Sequence, residues 1–185
     1  LGVHGQRRNL AEGNEGVLVV VAIDGKRRAR RDLAAALRRQ HDKLEPIGDG
    51  DLSYTCPPDD ELHIACFPGV SVVAAKEFGI DYPSKLAQRF VAAGGSGTVT
   101  LHAMHSVVDW FAYAVWVNGK LVRSLSLSPD SGIMEDIGSR LPFEEPYWSG
   151  EHPAVDGGDE EEAYPFPFHP LDLGAVFDAP DLRPA

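Results

Sequence analysis

Cysteine is scarce: Cys56 and Cys66 are the only two in 185 residues. That number rules out a disulfide scaffold and makes a reducing cytoplasm the simplest home. Long apolar runs are missing too. The run Val17 to Ile23 falls far short of the roughly 20 residues needed to cross a bilayer, and no basic, then apolar, then small-residue leader opens the chain. The expectation is a cytoplasmic protein without a membrane partner. Position 1 is leucine, which points to a trimmed or incomplete gene product. Phosphate-cradling loops are absent: "DGKRRAR", after the first apolar run, has one glycine where nucleotide-binding loops need several. "GGSG" at 94–97 lacks the spacing of a nucleophile elbow and reads more plainly as a helix end. The acidic stretches "GDGD" (48–51) and "DGGDEEE" (156–162) lack the spaced ligands of a calcium loop and read as solvated loops.

What is present is a composition able to build one core, with 43% apolar residues, 9% of the chain aromatic. The net charge of −11 is unevenly spread. Residues 1–43 carry ten Lys/Arg against five Asp/Glu (+5), residues 44–128 five against nine (−4), and residues 129–185 two against fourteen (−12). A basic head thus precedes an acidic tail, which fits either two partners of opposite charge or mutual attraction of the two ends. The net charge and the lack of interleaved aromatics disfavour nucleic acid as a partner.

Along the chain, residues 1–15 are polar and aperiodic and read as a mobile leader. "VLVVVAI" reads as a central strand buried on both faces. "KRRARRDLAAALRRQ" projects as an amphipathic helix, with Ala29, Leu33, Ala36 and Leu37 inward and Arg27, Arg28, Arg31 and Arg38 outward. "LEPIGDGDL", "LHIACF", "VSVVAA" and "TVTLHAM" supply further strands. A second helix is expected from Pro83 to Gly94. From about 129 the chain turns rich in Pro, Gly and acid, with 151–169 an acidic loop and 176–185 a tail.

The most informative stretch is "VDWFAYAVWVNGKLVRSLSLS" (108–128). Asn118-Gly119 suits a two-residue type I′ turn, which sets the pairing of a hairpin. Val117 then faces Lys120, Trp116 faces Leu121, Ala114 faces Arg123, Ala112 faces Leu125 and Trp110 faces Leu127. Arg123 lands on an apolar face beside the tryptophans, where an unpaired guanidinium costs several kcal/mol. A carboxylate partner is therefore expected, from Glu135, Glu144 or Glu145, pinning "PFEEPYW" to the sheet. An anion-binding arginine on a pocket floor is the functional alternative.

Chemistry-bearing residues concentrate in "LHAMHSVVDW". His102, His105 and Asp109, completed by His152 or His169, are the ligand types of a zinc or manganese site, with Glu135 or Glu144 as a catalytic base on metal-bound water. On a regular strand His102 and His105 point to opposite faces, so the plainer reading makes His102 a core or edge residue and "HSVVD" a turn. His105, Ser106 and Asp109 include the types of a catalytic triad, but such groups normally come from separate elements. Cys66 reads as a small buried residue. Trp110, Trp116, Trp148, Tyr147 and Phe166 are candidates to line a binding groove with Arg123, or else are core.

"LHAMHSVVDWFAYAVW", "GKLVRSLSLSPDSGIMEDIG", "LPFEEPYWSGEHP" and "YPFPFHPLDLG", with weaker echoes in "LEPIGDGD" and "FPGVSVV", resemble an uncharacterised domain family of high-GC Gram-positive (actinobacterial) bacteria, over roughly residues 16–175. The resemblance implies a bacterial, cytoplasmic protein and carries no activity, substrate or cofactor. The expected fold is a single α+β domain spanning 16–175: a mixed or antiparallel sheet of about six or seven strands, two helices on one face, and an irregular C-terminal wrap. The expected function is a non-catalytic interaction or regulatory module of the immunity or accessory kind, without cofactor, that meets an unidentified protein partner through its acidic, aromatic C-terminal surface. A metal-dependent hydrolase is the alternative.

Overall fold

The computed structural model describes residues 2–4, 17–24, 45–49, 57–67, 70–154 and 165–177. The expected basic helix, Cys56 and the acidic run 156–162 lie outside the described residues. Nine strands are present among those described: β1 (Gly2–His4), β2 (Val17–Asp24), β3 (Glu45–Gly48), β4 (Glu61–Cys66), β5 (Val70–Ala75), β6 (Thr98–His105), β7 (Trp110–Val117), β8 (Lys120–Ser128) and β9 (Gly132–Ile137). They join one sheet in the order β3-β1-β4-β5-β2-β6-β7-β8-β9. Each neighbouring pair is antiparallel. The helices α1 (Gln88–Ala93), α2 (Glu145–Trp148) and α3 (Pro170–Phe177) are short. The fold is thus of mixed α+β character but mostly sheet.

Two strands exceed the expected six or seven. Gly2–His4, within the segment read as a mobile leader, pairs with both β3 and β4. β9 sits in the Pro-, Gly- and acid-rich region read as loop, where "GIMEDI" is too short for its alternation to stand out. The expected central place of "VLVVVAI" holds, since β2 lies between β5 and β6 in the middle of the sheet. The second expected helix is interrupted. A 3-10 turn, Pro83–Lys85, opens the segment, α1 follows, and Gly94 closes it. The helix α3 runs to Phe177.

Two cores lie on opposite faces. One gathers Val73, Phe78, Phe90, Val99, Leu101, Trp110, Ala112 and Trp116 beneath the 3-10 turns and α1. The other gathers Phe111, Tyr113, Leu125 and Leu127 with Tyr147, Phe166, Phe168 and Leu173. The C-terminal segment therefore wraps the face opposite α1, as its aromatic residues demand.

The hairpin register differs from the expected one. Val117↔Lys120 and Trp116↔Leu121 pair as the Asn-Gly turn requires, but a bulge follows and the next pair is Val115↔Arg123. Ala114 then faces Ser124, Ala112 faces Ser126 and Phe111 faces Leu127. The extra residue is Val122, which is exposed. One inserted residue sends every later side chain to the other face. Leu125 and Leu127 join Phe111 and Tyr113, while Ser124 and Ser126 move to the Trp110 side, where Trp110 Nε1 donates to Ser126 Oγ at 3.2 Å. Arg123 moves with the leucines.

Candidate functional site

Arg123 is fully buried, and nearly its whole donor fork is engaged. Nε donates to Glu144 Oε1 at 2.9 Å and Nη2 to Glu144 Oε2 at 2.7 Å, the bidentate geometry that suits a planar guanidinium. Nη1 reaches the Asp136 carboxylate and the carbonyls of Ile137 (3.1 Å) and Gly138 (3.2 Å). Burial opposes its charge, but the hydrogen bonds to Glu144 and Asp136 outweigh burial and raise its pKa. Glu144, also fully buried, accepts in addition from the Tyr113 hydroxyl, from Leu141 N at 2.6 Å and from Trp148 Nε1 at 3.4 Å. Burial, followed by the charge of Glu144, raises the Tyr113 pKa above its ordinary value. Of the three candidate partners, Glu144 is the one that pairs, and it does pin "PFEEPYW" to the sheet.

The other two play different parts. Glu145 is exposed at the start of α2. Glu135 is buried on the opposite face, where it accepts from Ser84 N (2.9 Å), Ser84 Oγ (2.7 Å) and the Ser124 hydroxyl. It ties the 3-10 turn at Pro83 to the sheet. The bulge makes this possible by turning Ser124 to that side.

The four proposed metal ligands do not converge. His102 is buried against Phe111 and its Nε2 lies 3.1 Å from the Gly174 carbonyl of α3. His105 lies on the opposite face, beside Trp110, as strand alternation requires. Asp109, at a positive φ of 46° in the β6–β7 turn, pairs with His169 at 3.4 Å. His152 packs on Tyr147, with ring centroids 4.6 Å apart. Among the described residues no three His, Cys, Asp or Glu side chains form a group able to hold a metal ion. The sequence grouped these residues because they are close along the chain, but a regular strand and a tight turn send them apart.

The expected tryptophan groove is not formed either. Trp110 and Trp116 are buried under the α1 side, while Trp148 lies on the other face, edge-on to Phe168 and beneath the Arg140 guanidinium at 4.3 Å. Tyr147 and Phe166 are core residues of that second face, and burial raises the Tyr147 pKa, with the charge of Asp172 adding to it. Arg123 is consumed within the fold and is not among the residues that line the cleft at the end of the α1 face. Cys66 is a half-buried free thiol that accepts from Ser71 Oγ at 3.4 Å.

A cleft of about 490 Å³ opens at the end of the α1 face. Three segments form it: Lys76, Gly79 and Asp81 from the link after β5; His105, Val108 and Trp110 from the β6–β7 turn; and Ser128, Asp130, Ser131 and Met134 from the β8–β9 turn and β9. Lys76 is held at its rim by Asp59, 3.1 Å away. Sequence reasoning singled out His105 and Trp110 but missed Asp81, Asp130 and Met134. No local motif marks them, because only the sheet order brings these three turns together.

No helix among the described residues is long and apolar enough to cross a membrane. No curated protein and no solved structure matches the chain. A family model does match, over residues 19–179, under the description "Family of unknown function (DUF6928)". That span takes in the Arg123 clamp, both cores and the cleft, and the chain belongs to this family.

Proposed function

We propose that the protein is a non-catalytic interaction or regulatory module that recognises a protein partner of opposite charge through its acidic C-terminal part. The observation that carries this reading is the fate of three candidate catalytic groups among the described residues, Glu144, Glu135 and His102. Glu144 and Glu135, the two candidate bases, are buried acceptors saturated by Arg123, Tyr113, Leu141, Ser84 and Ser124, which leaves neither free to activate a water. His102 is spent on holding α3. The negative charge that remains over 129–185, where two Lys/Arg stand against fourteen Asp/Glu of which Glu135, Asp136 and Glu144 are engaged inside the fold, then serves recognition, since it steers a cationic partner and repels anionic ones.

The test places a photo-crosslinking amino acid at Ile137, Glu145 or Glu151, all exposed, in the full chain produced in its own cells. A control position is Ile47 on β3, at the far edge of the sheet. One discrete protein adduct from the C-terminal positions, weakened by added salt and absent from Ile47, is the expected result. Illumination that yields no discrete adduct from any of the three overturns the reading.

A further inference from the structure

We infer that the cleft formed by Asp81, His105, Trp110, Asp130 and Met134 is a binding site for an organic cation, the ammonium or guanidinium of a lysine or arginine on the partner polypeptide. The inference deepens the interaction reading above and rests on it for the polypeptide nature of the ligand.

The charge of the cleft is uncompensated. Asp81 and Asp130 come from two different turns, and among the described residues neither has a hydrogen bond or ion pair within the protein. Elsewhere the carboxylates near the cores are consumed internally: Glu144 and Asp136 by Arg123, Glu135 by two serines, Asp109 by His169, Glu77 by Arg89. The single lysine in the lining is paired outward with Asp59. Two carboxylates beside a concave space attract a cation, and a cation shielded there gains more than one held on a flat surface.

The walls choose an organic cation over a metal ion. Trp110, itself almost wholly buried, forms part of the wall, and Met134 and Val108 add apolar and polarizable contacts suited to the methylene stem of a long basic side chain. The His105 backbone is engaged in the sheet and by Val108 N, while its imidazole, which lines the cleft, makes no side-chain hydrogen bond among the described residues. The rim explains why the cation belongs to a polypeptide. Val107 is 71% exposed and Val108 41%, side by side at the tip of the β6–β7 turn, and such a pair gives the flanking chain of a partner an apolar foothold that a free amine does not need.

The test uses the full chain and three probes: N-acetyl-lysine methylamide, N-acetyl-arginine methylamide and the uncharged N-acetyl-norleucine methylamide. Titrations are followed by NMR at the His105 imidazole, the Trp110 indole and the Met134 methyl. The two cations are expected to give saturable shifts at all three, and norleucine none. The double variant Asp81→Asn with Asp130→Asn weakens cation binding by about tenfold, the loss expected when both of its exposed counter-charges are removed, while Glu45→Gln, on β3 at the far edge of the sheet, leaves it unchanged. An equal response to norleucine, undiminished binding in the double variant, or no saturable shift overturns the site. Failure here with a crosslinked partner in hand removes the cleft and keeps the interaction module. Saturable cation binding without any crosslinked partner keeps the site and removes the module.

Discussion

Arg123 settles most of the local questions in the C-terminal half, because a buried guanidinium must spend its donors inside the protein. It spends them on Glu144, Asp136 and two carbonyls at the end of β9, those of Ile137 and Gly138. Arg123→Met strands Glu144 without its counter-charge and is expected to cost about 3–5 kcal/mol in urea denaturation. Removing both charges together, Arg123→Met with Glu144→Leu, recovers much of that loss, since an apolar pair needs no compensation. Tyr113 makes a second prediction. Its pKa is raised from 10.0 by burial and then by Glu144, so above about pH 10 the unfolded chain releases a proton that the native chain keeps. The contribution is whole below pH 10 and is lost as pH rises, at about 1.4 kcal/mol per unit. Stability measured between about pH 9 and 12 should begin to fall near pH 10 and approach that slope above about pH 11, and Tyr113→Phe should flatten it. That Arg123 needs a carboxylate was legible from its apolar neighbours. Which of Glu135, Glu144 and Glu145 answers it was not, because nearness along the chain favours Glu135, while the bulge turns Arg123 to the face where Glu144 sits.

At the scale of elements, the bulge in β8 decides the faces. The Asn118-Gly119 turn sets the first two pairs of the hairpin, and Val122 then steps out of the ladder. Gly138 makes room for that step: it sits at φ 84°, and a Cβ there would run into the Val122 carbonyl. Gly138→Ala is expected to cost about 1–3 kcal/mol through backbone strain, read as a lower denaturation midpoint, with cross-strand NMR contacts around Arg123 disturbed before those of β6 and β7. The glycine was visible in the sequence, but its purpose was not. A bulge costs one ladder hydrogen bond, and only the gain from satisfying Arg123, Ser124 and Ser126 at once repays it.

For the whole molecule, the C-terminal wrap holds the second face closed. α3 is fastened by His102 to the Gly174 carbonyl, by His169 to Asp109, and by Leu173, which is fully buried. Gly174 is required for the close approach, since a Cβ there would overlap Met104 and press on Phe111. Leu173→Ala is expected to cost about 2–5 kcal/mol, and hydrogen exchange should quicken first in α3 and next in β6 and β7 if the wrap opens as a unit. The C-terminal sequence that supplies this wrap is also the acidic part of the chain, with two Lys/Arg against fourteen Asp/Glu over 129–185.

Alternation, turn chemistry and the cost of unpaired charge act over a few residues, and they were enough to determine most of the strands, the hairpin turn, the separation of His102 from His105 and the buried ion pair of Arg123. Tertiary structure alone decided the register beyond the bulge, the choice of Glu144, the dispersal of the tryptophans over two faces and the meeting of Asp81, His105 and Asp130 in one cleft. Those outcomes depend on contacts between residues tens of positions apart. No local propensity encodes such contacts, because each is a compromise among packing, polar satisfaction and sheet order that exists only once the sheet has formed.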